Sequence, residues 1–136
     1  MAAVEGRTSS DRIKSASIDG TIAPLFATNG FTGIPTGPTS TTVVSLAAVP
    51  AGDYVVLAKS QLTHTGAGDS VDCQLKAGGT TIDQVAMKTI PALAAMPMSL
   101  QAVTTLASPT QLTVQCHVMT ANGSADFSSL IAIPTG

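Results

Sequence analysis

The stretch QLTVQCHV, residues 111–118, decides how this chain folds. It sets Cys116 beside His117, and the chain has one other cysteine, Cys73. Read as chemistry, the pair is a nucleophile with its base, or half of a metal site. Read as structure, it alternates. Leu112, Val114, Cys116 and Val118 share one face of an extended chain, and Gln111, Thr113, Gln115 and His117 share the other. A nucleophile must reach hydrogen-bonding distance of its base, and adjacent strand residues point apart. The alternation therefore predicts a strand with Cys116 in the core and His117 on the outer face.

Segments of the same kind recur outward from this one. TTVVSLA (41–47), DYVVLAKSQLT (53–63), SVDCQLKA (70–77), TTIDQVAMKTI (80–90), MSLQAVTTL (98–106) and DFSSLIAI (126–133) are short, rich in β-branched residues and bounded by turn residues. Gly78-Gly79 marks a hairpin. No internal helix is convincing. Together these predict an all-β fold, an antiparallel β-sandwich or jelly roll of about seven to eight strands. A short repeat fits pseudo-symmetric hairpins: Val71-x-Cys73-x-Leu75 matches Val114-x-Cys116-x-Val118, each followed by a glycine-containing turn and then Asp83 or Asp126. Coincidence explains a match this short equally well.

Two domains of unequal character are expected. Residues 42–136 form the sandwich, and residues 1–41 form an N-terminal arm. Residues 1–19 are charged and small, and SSDRIKSASI reads either as a short helix or as an irregular tail. Residues 20–41 carry four Gly, three Pro and six Thr, which disfavour helix. Yet Ile22, Leu25, Phe26, Phe31 and Ile34 are interspersed through them, too apolar a set for a disordered linker. These five are the candidate contacts to neighbouring subunits.

Charge narrows the function. Only 10% of residues are charged, against about 25% in an ordinary soluble domain. Six of the 14 charges fall within residues 1–19, and none lies between Asp19 and Asp53 or between Lys88 and Asp126. A net charge of −2 with no basic patch argues against nucleic-acid binding. No apolar run approaches a membrane helix, and the N-terminus shows no signal-peptide core, so cytosolic synthesis is expected. YVVLA (54–58) and LIAI (130–133) are apolar on both faces, whereas a lone antiparallel sandwich alternates. Either copies of the chain cover the outer face, or the N-terminal arm folds back over it.

Catalytic and metal readings find little support. Cys73, Cys116, His64 and His117 lack the paired spacing of a zinc site. Asp69 and Asp72 flank a loop without calcium-loop spacing and read as a solvated turn. The glycine pairs precede no helix, and no serine has a nucleophile-elbow context. No catalytic residue, metal or cofactor is expected. Cys73 and Cys116, both predicted inward and neighbours across the core, are either a disulfide or two buried thiols.

VPAGDYVVLAKSQLT (49–63), VDCQLKAGGTTID (71–83) and LTVQCHV (112–118) resemble small jelly-roll domains of bacteriophage virion proteins, of the general tumour-necrosis-factor/C1q-like kind. The resemblance spans residues 42–134. It implies a non-enzymatic virion protein assembled in the host cytoplasm, a capsid decoration (cement) protein. Such a protein would form homotrimers and contact the major capsid protein or another virion protein. The alternative is a receptor- or carbohydrate-binding module at a tail-fibre tip or in a secreted protein.

Overall fold

A computed structural model describes residues 23–64, 69–90, 95–119 and 121–135. The expected arm residue Ile22 and the segment at 1–19 lie outside the described residues, as do the side chains of His64 and Asp69. The described chain is all β. Its strands are β1 (Leu25–Ile34), β2 (Thr41–Val49), β3 (Gly52–His64), β4 (Asp69–Ala77), β5 (Thr80–Ile90), β6 (Met96–Leu106), β7 (Thr110–Val118) and β8 (Gly123–Pro134). They form two four-stranded antiparallel sheets, ordered β1-β8-β3-β6 and β2-β7-β4-β5. Only β4 and β5 are joined as neighbours within one sheet; every other connection passes to the opposite sheet. This is the jelly-roll winding.

Local chemistry explains the turns. Ala77 pairs with Thr80, leaving Gly78-Gly79 as a two-residue loop. Gly78 has φ 60°, which suits the first central position of a hairpin turn that only glycine enters cheaply. Its amide donates to the Gln111 carbonyl at 2.8 Å, tying the hairpin to β7.

The core is aliphatic, as an aromatic-poor composition requires. Leu62, Leu75, Leu100, Leu112, Leu130, Val43, Val49 and Val56 are fully buried between the sheets. Tyr54 is the one buried aromatic ring, and its hydroxyl donates to the Pro50 carbonyl at 2.8 Å. Burial pushes the Tyr54 phenol above its ordinary pKa.

Residues 25–34 fall within the expected arm of residues 1–41. They form edge strand β1, in register with β8 from Leu25↔Ala132 to Ile34↔Gly123. Ile34 is buried in the core, and Leu25, half-buried, packs against it. Phe26 and Phe31 remain 71% and 67% exposed. The Asn29 amide donates to the Val43 carbonyl at 2.9 Å and stitches β1 to β2 of the other sheet.

The repeat also has a different origin. β7 and β8 belong to different sheets, so the second copy is no hairpin. Instead the two V-x-C segments pair with each other, as Val71↔Val118, Cys73↔Cys116 and Leu75↔Val114. Antiparallel pairing gives the two copies a local two-fold centred on the cysteines. Cys73 and Cys116 are therefore neighbours within one sheet rather than across the core. They are joined by a disulfide, with Cα atoms 4.1 Å apart and both residues fully buried.

Candidate functional site

Cysteine chemistry is closed in this state, because both sulfurs are consumed in the bond. His117 lies on the outer face of its sheet, half-buried and directly opposite Asp72 of β4. Cys116 faces the core, as strand alternation requires. Among the described residues no three His, Cys, Asp or Glu side chains gather as a metal site.

The two outer faces of the sandwich differ sharply. The face of β2-β7-β4-β5 is polar, and its side chains bond to one another. The Gln84 amide donates to both Asp72 carboxylate oxygens at 3.2 and 3.3 Å, Thr81 donates to Gln74 at 3.2 Å, and Gln115 donates to Thr42 at 3.3 Å. This is a polar face on which Gln74, Gln84 and Gln115 bond to neighbours within the sheet.

The face of β1-β8-β3-β6 is divided. Register places Ile133, Val55 and Val103 in one cross-strand row, and Phe26, Ile131, Leu57 and Gln101 in the next. Six of these seven side chains are apolar. Val103 is 79% exposed, and Phe26 and Leu57 are also exposed. The inward residues of the same strands, Tyr54, Val56, Leu130 and Ala132, are buried. YVVLA and LIAI are thus two-sided because their outward residues adjoin in this patch. Val55, Ile131 and Ile133 are half-buried, so the outward apolar surface centres on Phe26, Leu57 and Val103.

Further along the same face the rows turn polar, with Thr28, Ser129, Lys59 and Ser99 in register. Beyond them β8 bulges. Lys59 pairs with Ser129 and Gln61 with Asp126, so Phe127 and Ser128 together face Ser60. Phe127 takes φ 52°, a left-handed conformation unusual for a bulky residue. Ser128 turns inward, where its hydroxyl and that of Ser60 are 2.8 Å apart, and Ser60 donates to the Asp126 carbonyl at 3.3 Å. Phe127 turns outward and is 72% exposed. It borders a concavity of about 530 Å³ shared with Lys59, Gln61, Pro97, Met98 and Ser99. All three phenylalanines of the chain are therefore exposed, on the β1–β8 side of this sheet. An alternating pattern in DFSSLIAI already turns Phe127 outward. The groove beside it arises only when β3 and β6 are brought alongside.

No protein-family model matches the chain, and no curated protein matches its sequence. Solved structures share the fold. A structure of infectious bursal disease virus, Gx strain, superposes with a TM-score of 0.58 at 15% identity, over 85% of this chain and 33% of that one. The VP2 subviral particle of the same virus gives 0.58 at 15% identity, over 82% and 33%. Eiger TNF from S. frugiperda gives 0.61 at 12% identity, over 83% of this chain and 93% of that one. The chain spans about a third of the length of the viral chains it matches. At such identities the likeness is one of fold, and the fold is the jelly roll.

Proposed function

We propose that this chain is a non-enzymatic structural protein of a bacteriophage virion, a capsid decoration (cement) protein. Its jelly rolls associate as trimers through the apolar half of the β1-β8-β3-β6 face. The N-terminal segment 1–41, with Phe26 and Phe31 exposed on β1, contacts the major capsid protein or another virion protein. The observation that carries this reading is the contrast between the faces: one polar and internally bonded, the other with adjoining apolar rows. The VP2 chains that share the fold are found in particles, which is consistent with a shell protein.

Magnitudes set the expected behaviour. Burying Phe26 and Val103 at about 1.5–3 kcal/mol each gives a gross gain of up to roughly 3–6 kcal/mol, and the part-buried Leu57 and Ile131 add less. Association costs about 4–15 kcal/mol before any contact is counted. The face alone therefore supports a concentration-dependent oligomer, and the arm supplies the remaining affinity on a shell.

Sedimentation velocity of the full chain across a concentration series tests the first half. The expected result is a monomer–trimer equilibrium that Val103→Asp shifts to monomer without changing the circular dichroism. A wild-type chain that stays monomeric throughout overturns it. Immunogold labelling of virions that contain the chain tests the second half. Label over the shell surface is expected, and label confined to a fibre tip overturns the cement reading.

A further inference from the structure

The polar half of the same face carries a feature that trimerisation does not need. At the β8 bulge a glycine would adopt the left-handed conformation without a Cβ penalty, yet the residue is Phe127, 72% exposed. A large ring held in a costly backbone conformation, with little burial to offset it, points to a role outside the fold. The bulge that aims it is anchored beneath by the Ser60–Ser128 hydroxyl pair, at 2.8 Å.

The groups around the ring define what it would meet. Lys59, Gln61 and Ser99 share its concavity of about 530 Å³, and none is tied by an ion pair or side-chain hydrogen bond to another described residue. They contrast with the opposite sheet, where Gln74, Gln84 and Gln115 are engaged. Pro97 supplies an apolar flank, while the Met98 side chain is buried in the core beneath. An exposed phenyl plane is thus rimmed by an ammonium, a carboxamide and a hydroxyl without internal partners.

We infer that this groove is a carbohydrate-binding site. A pyranose ring has an apolar C–H face and a rim of hydroxyl groups, the complement of a phenyl plane rimmed by donors and acceptors. Stacking on Phe127 would orient the sugar, and Lys59, Gln61 and Ser99 would bond its hydroxyls. The site is shallow and has one stacking ring, so affinity for a single sugar is weak, and copies in an oligomer would raise it by multivalency. The inference is independent of the cement reading, since a shell protein and a fibre-tip protein both present this face or hide it.

The test uses the full-length chain on an array of immobilised neutral and N-acetylated hexose glycans. Saturation-transfer NMR with each hit as a free oligosaccharide follows. The expected result is binding of a subset of glycans, with sugar ring protons saturated, weakened about tenfold or more by Phe127→Gly and by Gln61→Ala. Circular dichroism and sedimentation of Phe127→Gly should match wild type. Binding to no glycan at millimolar concentration overturns the inference, as does equal binding by Phe127→Gly. A changed oligomeric state in Phe127→Gly also overturns it, by assigning the groove to the subunit contact. None of these outcomes bears on Val103, so the two readings fail separately.

Discussion

Breaking the Cys73–Cys116 bond should cost a large share of the stability this small sandwich has. The bond spans 43 residues, and loop closure in the unfolded chain then accounts for about 13 cal/mol/K, or about 4 kcal/mol at 25 °C. A domain of this size has about 5–15 kcal/mol in total. With an unfolding entropy of about 2.1 cal/mol/K per residue over 136 residues, the melting temperature should fall by about 14 °C. The decisive form is a double-mutant cycle by urea denaturation with Cys73→Ala, Cys116→Ala and both. Either single change already breaks the bond, so each should lose nearly the full amount, and the second change should add little. The m-value should rise in all three, because the unlinked unfolded chain exposes more surface. Two small losses that sum in the double variant, with an unchanged m-value, would refute the reasoning.

Other substitutions probe the remaining elements. Ile34→Ala should destabilise the isolated chain by about 2–5 kcal/mol, because the side chain is buried, whereas Phe26→Ala should stay within about 0.5 kcal/mol; urea curves on both separate a core strand from a loose arm. Tyr54→Phe should cost about 1 kcal/mol by removing the bond to Pro50. Burial raises the Tyr54 pKa, so its protonated form contributes stability fully below the unfolded value near 10, and that contribution is lost as pH rises through the folded value. An alkaline melting series should show this loss in wild type and not in Tyr54→Phe. Phe127→Gly should leave stability unchanged or raise it by up to about 1 kcal/mol, because relieved left-handed strain offsets the greater freedom of the unfolded glycine; a clear loss on thermal melting would mean the ring packs against something.

Seven strands were legible because each combines β-branched residues with turn residues at both ends. β1 was not, and its sequence explains why. Leu25, Ala27 and Asn29 lean inward while Phe26, Thr28 and Gly30 face out, and the phase then slips at Phe31 so that Thr32 and Ile34 turn in. Both phenylalanines point to solvent while Ala27, Asn29 and Thr32 lean inward between Leu25 and Ile34, which blurs the usual signal. Pairing with β8 supplies what the segment itself lacks. The inward placement of both cysteines followed from alternation, but their adjacency did not, because sheet order is a property of the winding and not of either strand. The apolar half-face was half legible. Two-sided strands announced an apolar outer surface, while the row joining Phe26 to Ile131 and Leu57 needed the register. Lys59, Gln61 and Ser99 carry no local signal, since they converge with Phe127 only through β3–β8 and β3–β6 pairing.

The register of β1 against β8 gives the molecule a polarity. Leu25 lies opposite Ala132, and Thr135 bonds back to Asp53 at 3.0 Å, so the chain enters and leaves the sandwich at one pole. That pole carries the Ile133–Val55–Val103 row. At the far pole Thr36 bonds to Asn122 and Gly37 to the Val118 carbonyl, clasping two inter-strand connections together. A fluorescent protein or affinity tag joined close to Leu25 or to Thr135 would crowd the apolar pole. Cargo in the β4–β5 hairpin tip at Gly78-Gly79, tied to Gln111 on the polar sheet, shares this entry pole and leaves the Phe127 groove, set toward the far pole, uncovered.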